Sequence, residues 1–324
     1  MLVEVKDLSI SFDTLRGELK AIDRISFDLA EGEVLGIVGE SGCGKSITSL
    51  ALMGLLPTNA SLSASKLLLN GRDLTRQSRK EWQALRGKEM SMIFQDPMTS
   101  LDPSFTIGYQ IMETLKIHDP APKNMLKDRV IELLNLVGIP DPRSQLNAYP
   151  HQLSGGMCQR VMIAIAIACK PKLLIADEPT TALDVTIQAQ ILTLLRTLQK
   201  QTKMALILIT HDIAVVSEMA DKIAVMYAGQ IVETGKVDDI INDPRHPYTN
   251  ALLSCLPESH ESDGDRSALA SIPGLVPDLV NRPTGCQLHP RCQFADDYCK
   301  ANAPALSYEG ERYYTCFKPL KKRR

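Results

Sequence analysis

Eight residues near the start of the chain have the types and spacing needed to hold a phosphate chain. They fit the pattern G-x-x-x-x-G-K-[ST] and lie between an apolar strand-like run and an apolar helix-like run. In this pattern the glycines let backbone N–H groups wrap the phosphates, the lysine reaches the β and γ phosphates, and the last hydroxyl binds Mg²⁺. We therefore predict a nucleotide-binding loop rather than a glycine-rich turn that only caps a helix. Its residues are Gly39, Glu40, Ser41, Gly42, Cys43, Gly44, Lys45 and Ser46, with Cys43 as a small loop residue and not a nucleophile.

Polar side chains also follow three later apolar runs, where a hydrolytic site would need them. Asp177 and Glu178 end one run, and Gln95 and His211 follow two others. In open α/β sheets the carboxyl ends of the strands face the crevice that binds ligands. We predict that Asp177 binds Mg²⁺ through water, that Glu178 polarises the attacking water, and that His211 orients it. Gln95 is predicted to reach the Mg²⁺ and to sense the nucleotide.

A second segment suited to an anion begins at residue 151, with the sequence HQLSGGMCQRV. Ser154, Gly155 and Gly156 directly precede an apolar helix-like run, so their N–H groups and hydroxyl are available to an anion. The chain already has a phosphate loop more than a hundred residues earlier. The pattern alone leaves open which anion this second segment would bind.

The elements that must position these residues alternate between strand and helix patterns. Continuous apolar runs at 34–38, 173–176 and 205–209 are typical of strands buried on both faces. A helix pattern over 185–200 separates the last two, which indicates a parallel, helix-flanked α/β sheet. From about 97 to 170 the pattern is helical, and we predict a helical insertion in the α/β core.

Shorter patterns mark the ends of helices and a change of domain. Helices are predicted over 47–56, ended by Pro57, and over 125–137, ended by Gly138. We predict a first domain over residues 1–257. A polar, acidic linker then covers 258–271, and a Pro- and Cys-rich extension covers 272–324.

Composition and charge restrict the class of protein. The 324 residues carry a formal net charge of −2. This balance argues against a broad nucleic-acid-binding surface. The N-terminus lacks the basic and apolar regions of a signal peptide, and no apolar run approaches the ~20 residues that span a bilayer. We expect a cytosolic protein that docks on a membrane partner, with Lys321 to Arg324 as a solvated basic tip.

Taken together, these motifs resemble the nucleotide-binding subunit of an ATP-binding cassette (ABC) transporter. Walker A, the Q-loop glutamine, the LSGG signature, Walker B, the D-loop at Asp184 and the switch histidine occur in the family order across 39–211. The resemblance implies an α/β fold: an ABC-type P-loop NTPase core of mixed sheet and flanking helices, with a helical subdomain and a small Cys-rich extension. It also implies ATP and Mg²⁺ as ligands. Met157, where the family most often has Gln, and Cys158 depart from its pattern without removing a phosphate donor.

The family resemblance answers the question of the second anion. In that family the signature binds the γ-phosphate of ATP held on a partner subunit's P-loop. Ser154, Gly155, Gly156 and Asp184 would thus complete the partner's site. Family members also stack the adenine on an aromatic residue well ahead of the P-loop, for which Phe12 is the best match and Phe27 a poorer one, with a core position as the alternative for Phe12.

Segments outside the shared motifs narrow the resemblance to ATP-binding subunits of dipeptide, oligopeptide and nickel importers. They are 94–103, 184–190, 245–249, 251–253 and 273–277. The resemblance implies an ATP hydrolase that powers import of dipeptides or short oligopeptides. It implies a heterodimer with a second ATPase subunit, two transmembrane permease subunits, an external solute-binding protein and no nucleic acid. The location implied is peripheral, on the cytoplasmic face of the bacterial inner membrane.

Other classes of function remain open from the sequence. Nickel importers share the features of the C-terminal tail. Cassette ATPases of translation or DNA repair usually carry two cassettes or a long coiled-coil insertion, and neither pattern occurs in the 324 residues. A regulatory module without turnover would lack a base after Walker B, whereas Glu178 is present.

Four of the eight cysteines crowd the extension, with the spacing Cys286-x₅-Cys292-x₆-Cys299-x₁₆-Cys316. A cytosolic location disfavours disulfides, and four thiolates suit either a [4Fe–4S] cluster or tetrahedral zinc. Tight C-x₂₋₄-C pairs, usual for zinc, are absent from this set, so the spacing favours iron–sulfur. Some members of the peptide-importer family carry such a cluster in this tail. Reduced, unliganded cysteines in a docking tail are the alternative, and the role expected of a cluster is structural.

Overall fold

A computed structural model describes residues 1–181, 183–255 and 272–321 of the chain. Within these residues the strands, in chain order, are β1 Val3–Thr14, β2 Gly17–Leu29, β3 Val34–Val38, β4 Ala60–Ser63, β5 Lys66–Leu69, β6 Arg72–Asp73, β7 Met90–Ile93, β8 Leu173–Asp177, β9 Ala205–Thr210, β10 Lys222–Tyr227, β11 Gln230–Lys236, β12 Ser307–Glu309 and β13 Arg312–Tyr314. The helices are α1 Lys45–Leu52, α2 Arg79–Leu85, α3 Pro97–Ser100, α4 Ile107–His118, α5 Lys123–Leu136, α6 Pro142–Gln145, α7 Gly155–Ile167, α8 Val185–Thr202, α9 Ile213–Met219, α10 Val237–Asn242, α11 Pro247–Ser254 and α12 Asp297–Ala301, with a 3₁₀ turn at Pro150–Gln152.

The larger sheet has eight strands in the order β12-β13-β11-β10-β3-β9-β8-β7. Strands β10, β3, β9, β8 and β7 are parallel, and β11, β13 and β12 join antiparallel at one end. Every residue of β3, β8 and β9 is buried. This matches the continuous apolar runs that predicted them, because a parallel sheet covered on both faces has no polar side. The carboxyl ends of β3, β7, β8 and β9 therefore meet at one edge of the sheet.

The smaller sheet is antiparallel and packs against the larger one. Its strands run in the order β2-β1-β5-β6, with β4 also paired to β1. The sequence showed alternation only at 2–5 and 25–29, whereas β1 and β2 extend over 12 and 13 residues. The far ends of this hairpin carry mixed polar residues with exposed faces, so apolar alternation could not reveal them.

The segment between β7 and β8 is helical, and it contains α3 to α7 and the 3₁₀ turn. The helix predicted there over 125–137 is α5, whose boundaries agree to within about two residues. α5 ends at Leu136, just ahead of Gly138, whose φ of +75° stops the helix. The apolar faces of α4, α5 and α7 join the core that also covers one face of the larger sheet. The helical segment is thus attached to the strands through shared packing.

The extension does not fold away from the rest of the chain. Strand β13 pairs with β11, with Glu233 opposite Tyr314 and Thr234 opposite Tyr313. The backbone N–H of Thr315 also donates to the carbonyl of Val232 at 2.9 Å. The extension therefore lengthens the larger sheet by two strands. The predicted linker at 258–271 lies outside the described residues.

None of the helices in the described ranges combines the length and apolarity that crossing a membrane requires.

Candidate nucleotide-binding site

The phosphate loop connects β3 to α1 and holds its lysine in a fixed position. Gly44 has a φ of +105°, and an added Cβ there would lie 2.4 Å from Cδ1 of Ile22, so a larger residue has neither the backbone freedom nor the space. The Lys45 ammonium is almost fully buried and donates to the carbonyls of Gly39 at 2.7 Å and Glu40 at 3.1 Å. A buried ammonium aimed along a glycine-rich loop is suited to bind phosphate oxygens.

Cys43 is a loop residue whose thiol points into the core. Its side chain is fully buried among the apolar residues of β1, β2 and β3. This burial raises the pKa of the Cys43 thiol. A buried thiol that resists ionisation is a poor nucleophile, so the structure agrees with the packing role predicted for it.

Asp177 ends β8 directly beside the first turn of α1. Its carboxylate accepts hydrogen bonds from the hydroxyls of Ser46 at 3.1 Å and Ser49 at 3.4 Å. Burial raises the pKa of Asp177, and the neighbouring charge of Glu178 adds to this rise. A bound cation would offset both effects. The oxygen atoms of Ser46 and Asp177 are the donors that Mg²⁺ prefers, and they fit that ion.

Glu178 is the residue where the predicted catalytic side chains meet. Its Oε2 accepts from Nε2 of Gln95 at 3.2 Å and from the hydroxyl of Thr181 at 2.9 Å. The same oxygen lies 3.5 Å from Nδ1 of His211, and Oε1 lies 3.9 Å from Nζ of Lys45. Sequence reasoning missed Thr181, which no motif distinguishes from its neighbours.

The backbone of Glu178 also distinguishes it from its neighbours. Its φ of +46° lies in the left-handed region, which a residue with a side chain rarely adopts. The backbone N–H donates to the carbonyl of Ile209 at 2.8 Å, which ties this strained residue to the end of β9. This bond fixes the backbone of Glu178 at the end of the neighbouring strand, where its carboxylate lies near Lys45 and His211.

A cavity of about 410 Å³ opens in front of these residues. One part of its lining is polar, with Lys45, Ser46, Gln95 and Glu178, and the rest includes small and apolar residues. The complete lining is Phe12, Leu19, Ala21, Ser41, Gly42, Gly44, Lys45, Ser46, Ile47, Gln95, Glu178 and Leu279. Phe12 thus lies where a base could contact it, whereas Phe27 is buried in the core. Leu279 comes from the extension, and sequence reasoning missed it.

The signature residues and the D-loop aspartate lie elsewhere. Ser154 is exposed and caps α7, its hydroxyl accepting from the N–H of Met157 at 3.3 Å. Asp184 caps α8 by accepting from the N–H of Ile187 at 2.9 Å, and a Cβ on Gly156 would lie 2.9 Å from the Ile187 side chain. In the part of the chain that the structure describes, the cavity lining includes none of Ser154, Gly155, Gly156 and Asp184. Within a single chain these residues do not complete the site.

The four cysteines of the extension line one small cavity together with His246 and Phe317. Burial raises the pKa of Cys286, Cys292 and Cys316, the last to about 12. Among the described residues, however, no three His, Cys, Asp or Glu side chains are placed to hold a metal ion together. The [4Fe–4S] cluster predicted at Cys286, Cys292, Cys299 and Cys316, and the zinc site that was its alternative, are therefore not supported by the arrangement of these side chains.

A buried lysine on a glycine-rich loop, an acidic pair at the end of the neighbouring strand and a polar cavity between them define a P-loop nucleoside triphosphatase. Two family profiles match the chain. One, described as ABC transporter, matches residues 22–181, and the other, described as Oligopeptide/dipeptide transporter, C-terminal region, matches 232–299. The second profile begins within β11, so the region it describes starts in the predicted first domain, ahead of the predicted linker at 258–271.

Curated relatives match almost end to end. The dipeptide transport ATP-binding protein DppD of Escherichia coli (strain K12) is 58% identical over 98% of this chain and 97% of its own length. The oligopeptide transport ATP-binding protein OppD of Salmonella typhimurium is 46% identical over 99% and 94%. Among solved structures, the dimeric ATP-binding cassette MJ0796 bound to ADP and Pi has a TM-score of 0.65 and 25% identity, covering 72% of this chain and 98% of that one. The chain belongs to the ATP-binding subunits of the ABC transporter family.

Proposed function

We propose that this chain hydrolyses ATP to power import of dipeptides or short oligopeptides across a bacterial inner membrane. Relatives named as dipeptide transport ATP-binding proteins are 57% and 58% identical to it over 98% of its length. The observation that carries the hydrolytic part is the position of Glu178, whose carboxylate contacts Gln95 and His211 and lies 3.9 Å from Nζ of Lys45. These relatives favour a peptide importer over the nickel importer and over cassettes of translation or DNA repair.

The phosphate loop would bind the triphosphate through its backbone N–H groups and Lys45. The ammonium now bonded to two loop carbonyls would exchange them for phosphate oxygens. Ser46, Asp177 and Gln95 would hold Mg²⁺, Asp177 through water. When bound, this ion neutralises negative charge on the β and γ phosphates.

Glu178 would act as the base that orients and polarises the attacking water. Its carboxylate is mostly buried, with 12% of the side chain exposed, and it is held by bonds from Gln95 and Thr181. His211, with 61% of its side chain exposed, is free to turn from Glu178 toward a γ-phosphate. Gln95 joins β7 to the helical segment, so a change in its contacts would be transmitted to that segment.

The signature would serve the ATP of a partner subunit. Ser154, Gly155 and Gly156 begin a helix of 13 residues, and Ser154 and Gly155 are exposed. An exposed helix N-terminus provides free N–H groups and a positive dipole end for an anion from another chain. Asp184 would approach the same interface. The expected complex is a heterodimer with a second ATPase subunit, two transmembrane permease subunits and, indirectly, an external solute-binding protein.

We keep a [4Fe–4S] cluster at the four cysteines as a proposal. Their thiols share one cavity, and thiolates are the ligands that such clusters use. Among the described residues no three His, Cys, Asp or Glu side chains are already arranged around one metal ion, so the proposal rests on the shared cavity and the four thiols alone. When bound, the cluster would cross-link the extension, and we propose no redox step for it.

Reconstitution tests the whole proposal. The chain should be assembled with its second ATPase subunit and permease pair in proteoliposomes that contain ATP on the side of the ATPase subunits. We expect uptake of a labelled dipeptide that requires ATP and the binding protein. ATP-dependent uptake of Ni²⁺ without peptide uptake would contradict the solute assignment, and failure of the chain to associate with any permease would contradict the transport role.

A further inference from the structure

We propose that the C-terminal extension, residues 272–321, contributes Leu279 to the part of the cavity that binds the base of ATP. The inference rests on the proposed ATP site and adds a contact that lies outside the matched ABC profile, which ends at residue 181. It makes the extension a part of the nucleotide pocket as well as a packing element.

The cavity lining suggests how ATP would be oriented. Lys45, Ser46, Gln95 and Glu178 carry the charge and hydrogen-bonding groups that a triphosphate needs. A purine base offers flat faces that prefer apolar or aromatic contact. The apolar side chains of Phe12, Leu19 and Leu279 line the same cavity, so the base would lie among them.

Two contacts locate Leu279 beside Phe12. Phe12 and Leu19 are directly paired across strands β1 and β2. Arg16, in the turn that joins these strands, donates from Nη2 to Oδ2 of Asp278 at 3.0 Å. Since Asp278 directly precedes Leu279 in the chain, Leu279 is held next to the hairpin that carries Phe12. Because this ion pair is exposed, it contributes little to the free energy of unfolding, and its role is to position the segment.

A second anchor follows three residues later. The guanidinium of Arg282 donates to the carbonyl of Lys20 at 2.6 Å and to the carbonyl of Ala228 at 2.7 Å. The segment 278–282 is therefore fastened on both sides of Leu279 to the hairpin of β1 and β2. Pro277 and Pro283 flank it and further limit its backbone freedom. An apolar side chain held in this way is arranged before any ligand binds, which lowers the entropy cost of contact.

The test separates base contact from phosphate binding. Affinities of the full-length chain for Mg·ATP and for inorganic triphosphate with Mg²⁺ should be measured by calorimetry. We expect Leu279→Ala to weaken ATP binding about fivefold, as loss of a partly buried apolar contact would, and to leave triphosphate binding unchanged. Leu279→Met should restore ATP affinity. The matched control is Leu275→Ala on the same segment, because Leu275 is 90% exposed and lines no part of this cavity.

Several outcomes would overturn the inference. Unchanged ATP affinity in Leu279→Ala would remove Leu279 from the pocket, and an equal loss for ATP and triphosphate would show that the substitution disturbs the phosphate loop instead. If Leu279→Ala does not fold, Leu279→Val and Leu279→Thr replace it, because Val and Thr have the same shape and differ in polarity. Equal ATP affinity of these two variants would contradict an apolar contact with the base. Lys45→Ala separates failure of the proposed ATP site from failure of the Leu279 contact. If the Lys45→Ala chain still binds ATP, the assignment of the ATP site, on which this inference depends, is wrong.

Discussion

Arg291 of the extension forms a bidentate ion pair with Glu40 of the phosphate loop, through two hydrogen bonds. Nη1 donates to Oε2 at 2.7 Å and Nη2 to Oε1 at 2.9 Å, across 251 positions of sequence. The Arg291 side chain is 3% exposed, and its guanidinium lies over the ring of Tyr227 and also donates to the carbonyl of Pro273. The phosphate loop is therefore fixed to the extension through the Glu40 carboxylate, by the residue that precedes Cys292 in sequence.

We expect Arg291→Ala to lower the free energy of unfolding by about 2 kcal/mol. Breaking a buried pair leaves its carboxylate without a partner, at a cost of roughly 3–5 kcal/mol when both groups are fully buried, and Glu40 is 28% exposed. Denaturant unfolding measures the change. Arg129→Ala, which removes an exposed pair with Glu132, is the control. Equal effects of the two substitutions would contradict the structural role of Arg291, and Arg291→Lys should restore little, since it loses the paired geometry.

Glu178→Gln should preserve ATP binding and reduce hydrolysis by at least about 100-fold in the assembled complex, which is the range for loss of a general base. Without hydrolysis the ATP-bound dimer should accumulate in a closed form. Steady-state phosphate release and size-exclusion chromatography with ATP measure the two effects. Glu132→Gln, on the exposed face of α5, is the matched control. Near-normal turnover in Glu178→Gln would assign the base to another residue.

Ser154→Arg should abolish turnover while this chain's own affinity for ATP stays unchanged. The side chain is exposed and lies outside the lining of the chain's own cavity, so a bulky cation there would obstruct only a partner's phosphate. Calorimetry on the isolated chain and ATPase assays on the complex measure both quantities. Ser144→Arg places the same cation at another exposed serine of the helical segment. Loss of ATP binding by the isolated Ser154→Arg chain would rule out the cross-subunit role.

Protein purified without oxygen should be brown and contain about four irons per chain, with broad absorption near ~400 nm from thiolate-to-iron charge transfer. Replacing Cys286, Cys292, Cys299 or Cys316 by Ser should remove the iron, whereas Cys169→Ser should not, because Cys169 lies in the helical segment. Iron analysis and absorption spectra check this. One zinc ion per chain and no iron would contradict the [4Fe–4S] cluster and favour a zinc site. Folded protein that contains no metal would refute both the cluster and the zinc site.

The sequence predicted the parts of the site that short, contiguous patterns determine. Asp177 ends a buried strand, and Glu178, Gln95 and His211 come just after the ends of buried strands. Parallel strands bring their carboxyl ends together, so the convergence of these residues could be anticipated. Contacts between distant segments had no such signal. The pairs Arg291–Glu40 and Arg16–Asp278 join exposed-looking charged residues whose neighbours in sequence follow no period.

The extension was the part that the sequence described least well. It was predicted only as a Pro- and Cys-rich extension, and no alternation marked the three-residue strands β12 and β13. Pairing of β13 with an existing strand supplies the order that local pattern lacked, because main-chain hydrogen bonds to β11 do not depend on side-chain period. The end of α5 was easier, since Gly138 restricts the backbone directly. The end of α1 was predicted wrongly, because this helix ends at Leu52 and not at the residue before Pro57.

Strand β13 covers part of the edge of the larger sheet at β11. Glu233 on β11 is fully buried and accepts a bond from Nε of Arg312 at 3.2 Å, so its charge partner arrives from the last described strand. A chain cut before residue 272 would keep the complete set of nucleotide motifs. It would also expose the edge of β11 and leave the Glu233 carboxylate with only the backbone N–H groups of Arg245 and His246 as partners, and an exposed strand edge favours edge-to-edge aggregation. We therefore expect a fragment trimmed at the end of its recognised motifs to aggregate more readily than the full-length chain.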